Sequence, residues 1–154
     1  MNEPDELVRM IRTGGVYYNI RGNTPDTVFG DLVTHISLPA GIESATLLSG
    51  LIERERLMTT SVGNGIALPH PLTPHVTQEG DQRVYVCFLD RPVNFDAMDG
   101  KPVFVLFLIL STGSASHLKV LSRLSWLLQQ EAFRDTLREK PDTEEMISVI
   151  QKYL

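Results

Sequence analysis

The chain has 154 residues, 42% of them hydrophobic and 21% charged, with a formal charge of −5, which suits one domain able to bury roughly 70% of the surface its unfolded form exposes. The basic residues are scattered, so neither a nucleic-acid footprint nor a basic membrane-binding face is present, and a basic protein partner is electrostatically favoured. One cysteine, Cys87, excludes an internal disulfide.

In chain order, residues 4–12 can form a short helix stopped by Gly14 and Gly15, and Val16 to Ile20 reads as a strand. Thr24-Pro25-Asp26 is a helix start, with a capping hydroxyl and a proline at the first helical position; Val28, Phe29, Leu32, Val33 and Ile36 follow at helical spacing. A second helix over about 42–56 puts Leu47, Leu48, Leu51 and Ile52 on one face and Arg54 in its last turn. Segments 83–89 and 103–110 are apolar and β-branched and read as buried central strands, with Cys87 a small core side chain. The aspartates of Phe95-Asp96-Ala97-Met98-Asp99-Gly100 between them read as turn chemistry. A helix over 114–129 with Leu118, Leu121, Leu124 or Ser125, and Leu128 as its stripe precedes two more near 131–138 and 143–152. The expected fold class is α/β, a mixed central β-sheet flanked by α-helices. The acidic N-terminus has no apolar signal core, and the longest apolar run, Val103 to Leu110, is too short to span a bilayer. A cytoplasmic protein, not embedded in a membrane, is expected.

The stretch Gly63-Asn64-Gly65-Ile66-Ala67-Leu68-Pro69-His70-Pro71-Leu72 holds one histidine at the end of a short apolar strand, between two prolines. Pro71 biases His70 away from the α region and Pro69 does the same to Leu68, so Leu68 to His70 run extended and present the imidazole in one direction. Gly63 and Gly65 leave the preceding turn free to bring backbone N–H groups to an anion.

Ser61 to His70 resembles the phosphorylation-site signature of the type-2 enzyme IIA domains (fructose, mannitol and nitrogen-regulatory) of the bacterial phosphoenolpyruvate-dependent phosphotransferase system. Leu51 to Met58, Phe95 to Val103, and His117-Leu118 followed by a leucine-rich helix occur in family order, so the resemblance spans about residues 16–154, with 1–15 an N-terminal extension carrying a short helix. It implies a phosphocarrier. His70 would take a phosphoryl group on Nε2 from a histidine-containing phosphocarrier protein. Arg54, sixteen positions earlier, would stabilise the phosphoryl oxygens, and His117 would support the site histidine. The group would pass to a IIB domain, or the phosphorylation state would itself act on a regulatory target.

The residues suit that chemistry. A neutral imidazole is a nucleophile near pH 7, and phosphoryl transfer depends chiefly on positioning and on charge at the equatorial oxygens, which a guanidinium at a helix end can supply. No P-loop or Ser-His-Asp arrangement recommends another reaction, and no cofactor is expected. Phe95-Asp96-Ala97 looks more like the nitrogen-regulatory branch than the sugar-specific one. Against these readings stand plainer ones, in which Arg54 makes surface ion pairs in Glu53-Arg54-Glu55-Arg56 and His117 caps a helix. His35 and His75 read as exposed or packed. Two residues depart from the family pattern: Pro71, which removes a backbone N–H beside the histidine, and Ser61, where glycine is common. Two other functions stay open: a non-phosphorylated regulatory binding protein on the same fold, and a metal module using His70, His75 and His117.

Overall fold

Two apolar strands organise the molecule. In β4 (Arg83–Val93) and β5 (Val103–Leu110) residues of both parities are buried, which requires cover on both faces of the sheet. They pair antiparallel, Arg83 opposite Leu110 through Phe88 opposite Val105. The computed structural model describes residues 5–153 and completes a mixed five-stranded sheet in the order β1-β4-β5-β3-β2. Here β1 (Val16–Ile20) is parallel to β4, β3 (Ile66–Ala67) is parallel to β5, and β2 (Ser61–Gly63) is antiparallel to β3.

Alternation along the central strands makes two cores. Val84, Val86, Phe88, Val105, Phe107 and Ile109 pack with apolar residues of α1 (Glu6–Gly14), α4 (Ser114–Leu128), α5 (Glu131–Arg138) and α6 (Thr143–Gln151). Tyr85, Cys87, Leu89, Leu106, Leu108 and Leu110 pack with those of α2 (Pro25–His35) and α3 (Ser44–Leu57). The result is one domain of helix, sheet and helix layers, the expected α/β class. Local chemistry agrees with the expected starts: Thr24 and Thr27 form a reciprocal cap ahead of α2, with Pro25 at its first position.

Three expectations need correction. The core stripe of α4 runs through Val120, Leu124, Leu127 and Leu128, whereas Leu118 is 66% exposed. The first turn of that helix serves a cleft rather than the sheet, so Leu118 has no core beneath it. β4 continues past residue 89 to Val93 through a register shift; exposed Asp90, Arg91 and Pro92 break the apolar run and hide this extension. The glycine-rich turn is a hairpin corner, not an anion cradle. Gly63 pairs with Ile66 across Asn64 (φ 57°) and Gly65 (φ 81°), the two positive φ values of a type I′ turn, for which Asn-Gly is the strongest signal. The Asn64 amide donates to Asp99 Oδ2 at 2.8 Å. Asp99 Oδ1 accepts from the Lys101 amide at 3.0 Å, and these two donors hold the Asp99 carboxyl below its usual range. Ser61 has a local use here too, its hydroxyl lying 3.3 Å from both the Ile66 carbonyl and the Gly63 amide.

Candidate functional site

The segment after β3 is held from both sides. The Leu68 amide donates to the Thr60 carbonyl (3.0 Å), and the Ile109 amide of β5 donates to the Pro69 carbonyl (3.0 Å). Strand pairing stops there because Pro69 and Pro71 lack N–H groups. His70 therefore emerges at the carboxyl ends of the parallel pair β3 and β5, the position at which α/β sheets commonly bind ligands.

His70 Nδ1 lies 3.0 Å from the Leu68 carbonyl oxygen. A carbonyl only accepts, so Nδ1 carries the proton and Nε2 keeps its lone pair. Arg54, from the last turn of α3, donates Nε–H to that Nε2 at 3.2 Å and Nη1–H to the Met58 carbonyl at 2.6 Å. His117, from the first turn of α4, sets its ring 4.3 Å from that of His70, centroid to centroid, tilted by 57°. Its Nδ1 is 3.3 Å from Ser111 Oγ, and among the described residues its buried Nε2 has no hydrogen-bond partner. With the Ser111 hydroxyl donating to Nδ1, Nε2–H is a donor awaiting an acceptor. These side chains line a cleft of about 420 Å³ with Leu57, Met58, Pro71, Leu72, Pro74, Ile109, Ser111, Gly113 and Ser114.

Burial sets the charge state. It lowers the His70 pKa below that of a free imidazole, opposed by the Leu68 hydrogen bond and aided by the positive charge of Arg54. Burial, then the proximity of His70 and Arg54, takes His117 down to about 4. Both rings are neutral near pH 7, so the guanidinium is the positive charge beside the His70 lone pair.

The structure thus gathers Arg54, His70 and His117, the set singled out from the sequence. His35 instead lies on the surface 3.3 Å from Asp31. His75 belongs to the loop over α3, so close to Gly50 that an added Cβ there would stand 3.1 Å from its Nε2. Among the described residues no three or more His, Cys, Asp or Glu side chains gather as a metal site would require, and His75 does not line the cleft that holds His70 and His117. Ser111, the Leu68 carbonyl and the Met58 carbonyl were not legible beforehand. Backbone carbonyls leave no residue-type signal, and Ser111 stands out only as the first polar residue after the apolar run of β5.

The chain belongs to the EIIA 2 family of the phosphoenolpyruvate-dependent sugar phosphotransferase system, whose family model matches residues 10–153. It is 32% identical over 135 residues to a nitrogen regulatory protein of Bradyrhizobium diazoefficiens, covering 85% of either chain. It is also 32% identical over 150 residues to a nitrogen regulatory protein of Pseudomonas aeruginosa, covering 94% of each. Its structure superposes on the nitrogen regulatory protein IIA-Ntr of Neisseria meningitidis with a TM-score of 0.75 and 26% identity, across 93% of this chain and 94% of the other. It is a phosphotransferase-system component with a phosphocarrier or regulatory role. Among the described residues no helix is long and apolar enough to cross a membrane.

Proposed function

We propose that His70 Nε2 accepts a phosphoryl group from the phosphohistidine of a small histidine-containing phosphocarrier protein in the cytoplasm. The observation that carries this reading is the pair of contacts on one ring: Nδ1–H on the Leu68 carbonyl and Arg54 Nε–H at the Nε2 lone pair. In the transfer the donor's P–N bond breaks as the Nε2–P bond forms, and the donor imidazole recovers its electron pair. The Nδ1 proton stays on the ring throughout, donated to the Leu68 carbonyl. Because Arg54 Nε–H occupies the lone pair in the resting site, it must turn from Nε2 to an equatorial phosphoryl oxygen, where its charge offsets the charge arriving. His117 Nε2–H meets a second oxygen and gains the partner it lacks.

Similarity to nitrogen regulatory proteins over nearly the whole chain supports the regulatory branch, in which the phosphorylation state acts on a target protein. Delivery to a IIB domain is the sugar-specific variant of the same chemistry. Pro71, which denies the site one backbone N–H, favours a second reading, a binding protein that has kept the fold without the transfer. Intact mass after incubation with phosphoenolpyruvate, enzyme I and the phosphocarrier protein separates the two. Wild type is expected to gain one acid-labile phosphoryl group and His70→Ala none. No gain by wild type, or labelling of His70→Ala, overturns the proposal.

A further inference from the structure

Glu55 follows Arg54 in the run Glu53-Arg54-Glu55-Arg56. As a helix-surface charge it would do little, and Glu53 and Arg56 are indeed exposed, Arg56 meeting Asp26 at 3.1 Å on the surface. Glu55 is half-buried and turns the other way. Its Oε2 accepts from the Thr60 amide at 2.8 Å and its Oε1 from the Thr60 hydroxyl at 2.6 Å, so both oxygens grip one residue that is only 6% exposed.

Thr60 is the next link toward the site. Its carbonyl accepts from the Leu68 amide, and the Leu68 carbonyl accepts from His70 Nδ1–H. Three links in series therefore join the Glu55 carboxylate to the His70 ring. The turn that Glu55 closes also contains Met58, whose carbonyl holds Arg54 Nη1. One carboxylate thus ties the end of the helix that supplies the guanidinium to the start of the β2–β3 hairpin that delivers the imidazole.

We infer that Glu55 is a positioning residue for His70, clamping the turn between α3 and β2 so that the Leu68 carbonyl holds the imidazole as its Nδ1–H tautomer with Nε2 toward Arg54. The inference rests on the reading of His70 as phosphoryl acceptor for its functional meaning, while the tautomer itself can be observed without any transfer. Without the clamp Thr60 and Leu68 gain freedom, the Nδ1–H bond loosens, and part of the population carries its proton on the nucleophilic nitrogen. Outer partners that orient metal-bound histidines are worth about tenfold to a hundredfold in affinity or activity, and the lower end of that range is the effect expected for this nucleophilic imidazole.

The test records ¹⁵N resonances of the His70 ring at about pH 7.5, where the imidazole is neutral, together with the initial rate of phosphorylation by the phosphorylated carrier protein. Wild type should show the Nδ1–H tautomer alone. Glu55→Ala should show a mixture of tautomers and a rate lower by about tenfold, and Glu55→Gln, which keeps one acceptor oxygen, should recover part of both. A Glu55→Ala variant with the wild-type tautomer and rate overturns the inference. Should that variant not fold, Glu55→Gln alone decides: it puts an N–H in place of one of the two acceptor oxygens that face Thr60, and a wild-type tautomer and rate there overturn the inference. Failure of wild type to accept phosphoryl at all would defeat the carrier reading, yet the tautomer comparison would still decide the role of Glu55.

Discussion

The two ring nitrogens of His70 play separate parts, since Nδ1 is anchored by a backbone carbonyl and Nε2 is left with its lone pair facing a guanidinium. The proline on either side explains why this much was readable from the local sequence, because fixed φ values aim the residue between them. The tautomer was not readable, as it depends on which carbonyl lies within reach after folding. Burial of the neighbouring ring has a consequence for stability. In the unfolded chain histidine takes up a proton near pH 6.5, whereas folded His117 resists protonation down to about 4. Its contribution is complete above about pH 6.5 and is lost as pH falls toward 4, because in that window the unfolded state binds more protons. Urea midpoints measured across that range should fall with pH in wild type and fall less steeply in His117→Gln; equal slopes would show that the His117 ring titrates normally.

The β2–β3 hairpin is the element that delivers His70, and its corner illustrates how a motif can be assigned to the wrong chemistry. Glycine-rich spacing suggested an anion site, but Asn64 and Gly65 both take positive φ, and the free amide is spent on Asp99. Only the pairing of Gly63 with Ile66 distinguishes the two uses of the same residues. Gly65 is also sterically fixed: an added Cβ would stand 2.6 Å from Cδ1 of Phe104. Gly65→Ala should therefore cost about 2–4 kcal/mol from strain and overpacking together, read as a lowered denaturant midpoint. A midpoint within error of wild type would mean that the hairpin relaxes freely. Of the helices, those with explicit caps or steady apolar spacing are legible; in α4 Leu124 and Leu128 stand in the buried stripe as expected, whereas Leu118 is exposed because the cleft, not the sheet, claims the first turn.

Across the whole molecule the N-terminal helix is part of the structure rather than an ornament on it. Leu7, Val8, Met10 and Ile11 of α1 are buried in the same core as β4, α4 and α6, and Ile11 is wholly inaccessible. Ile11→Ala should destabilise the protein by about 2–5 kcal/mol; its unfolding should remain one cooperative transition, with circular dichroism and Trp126 fluorescence coinciding. A loss below about 1 kcal/mol, or two separate transitions, would show that α1 is energetically independent. The sequence by itself determined the α/β class, the two central strands, the presenting segment around His70 and the three residues that meet there, because periodicity, proline geometry and a family signature are all local or linear properties. Only the tertiary structure decided that hydrogen bonds through Thr60 and Leu68 link Glu55 to the imidazole, that Ser111 meets Nδ1 of His117 rather than Nε2, and that His75 lies outside the cleft. Those facts depend on where backbone carbonyls and loops settle after the sheet forms, and such contacts between segments distant in the chain leave no pattern along it.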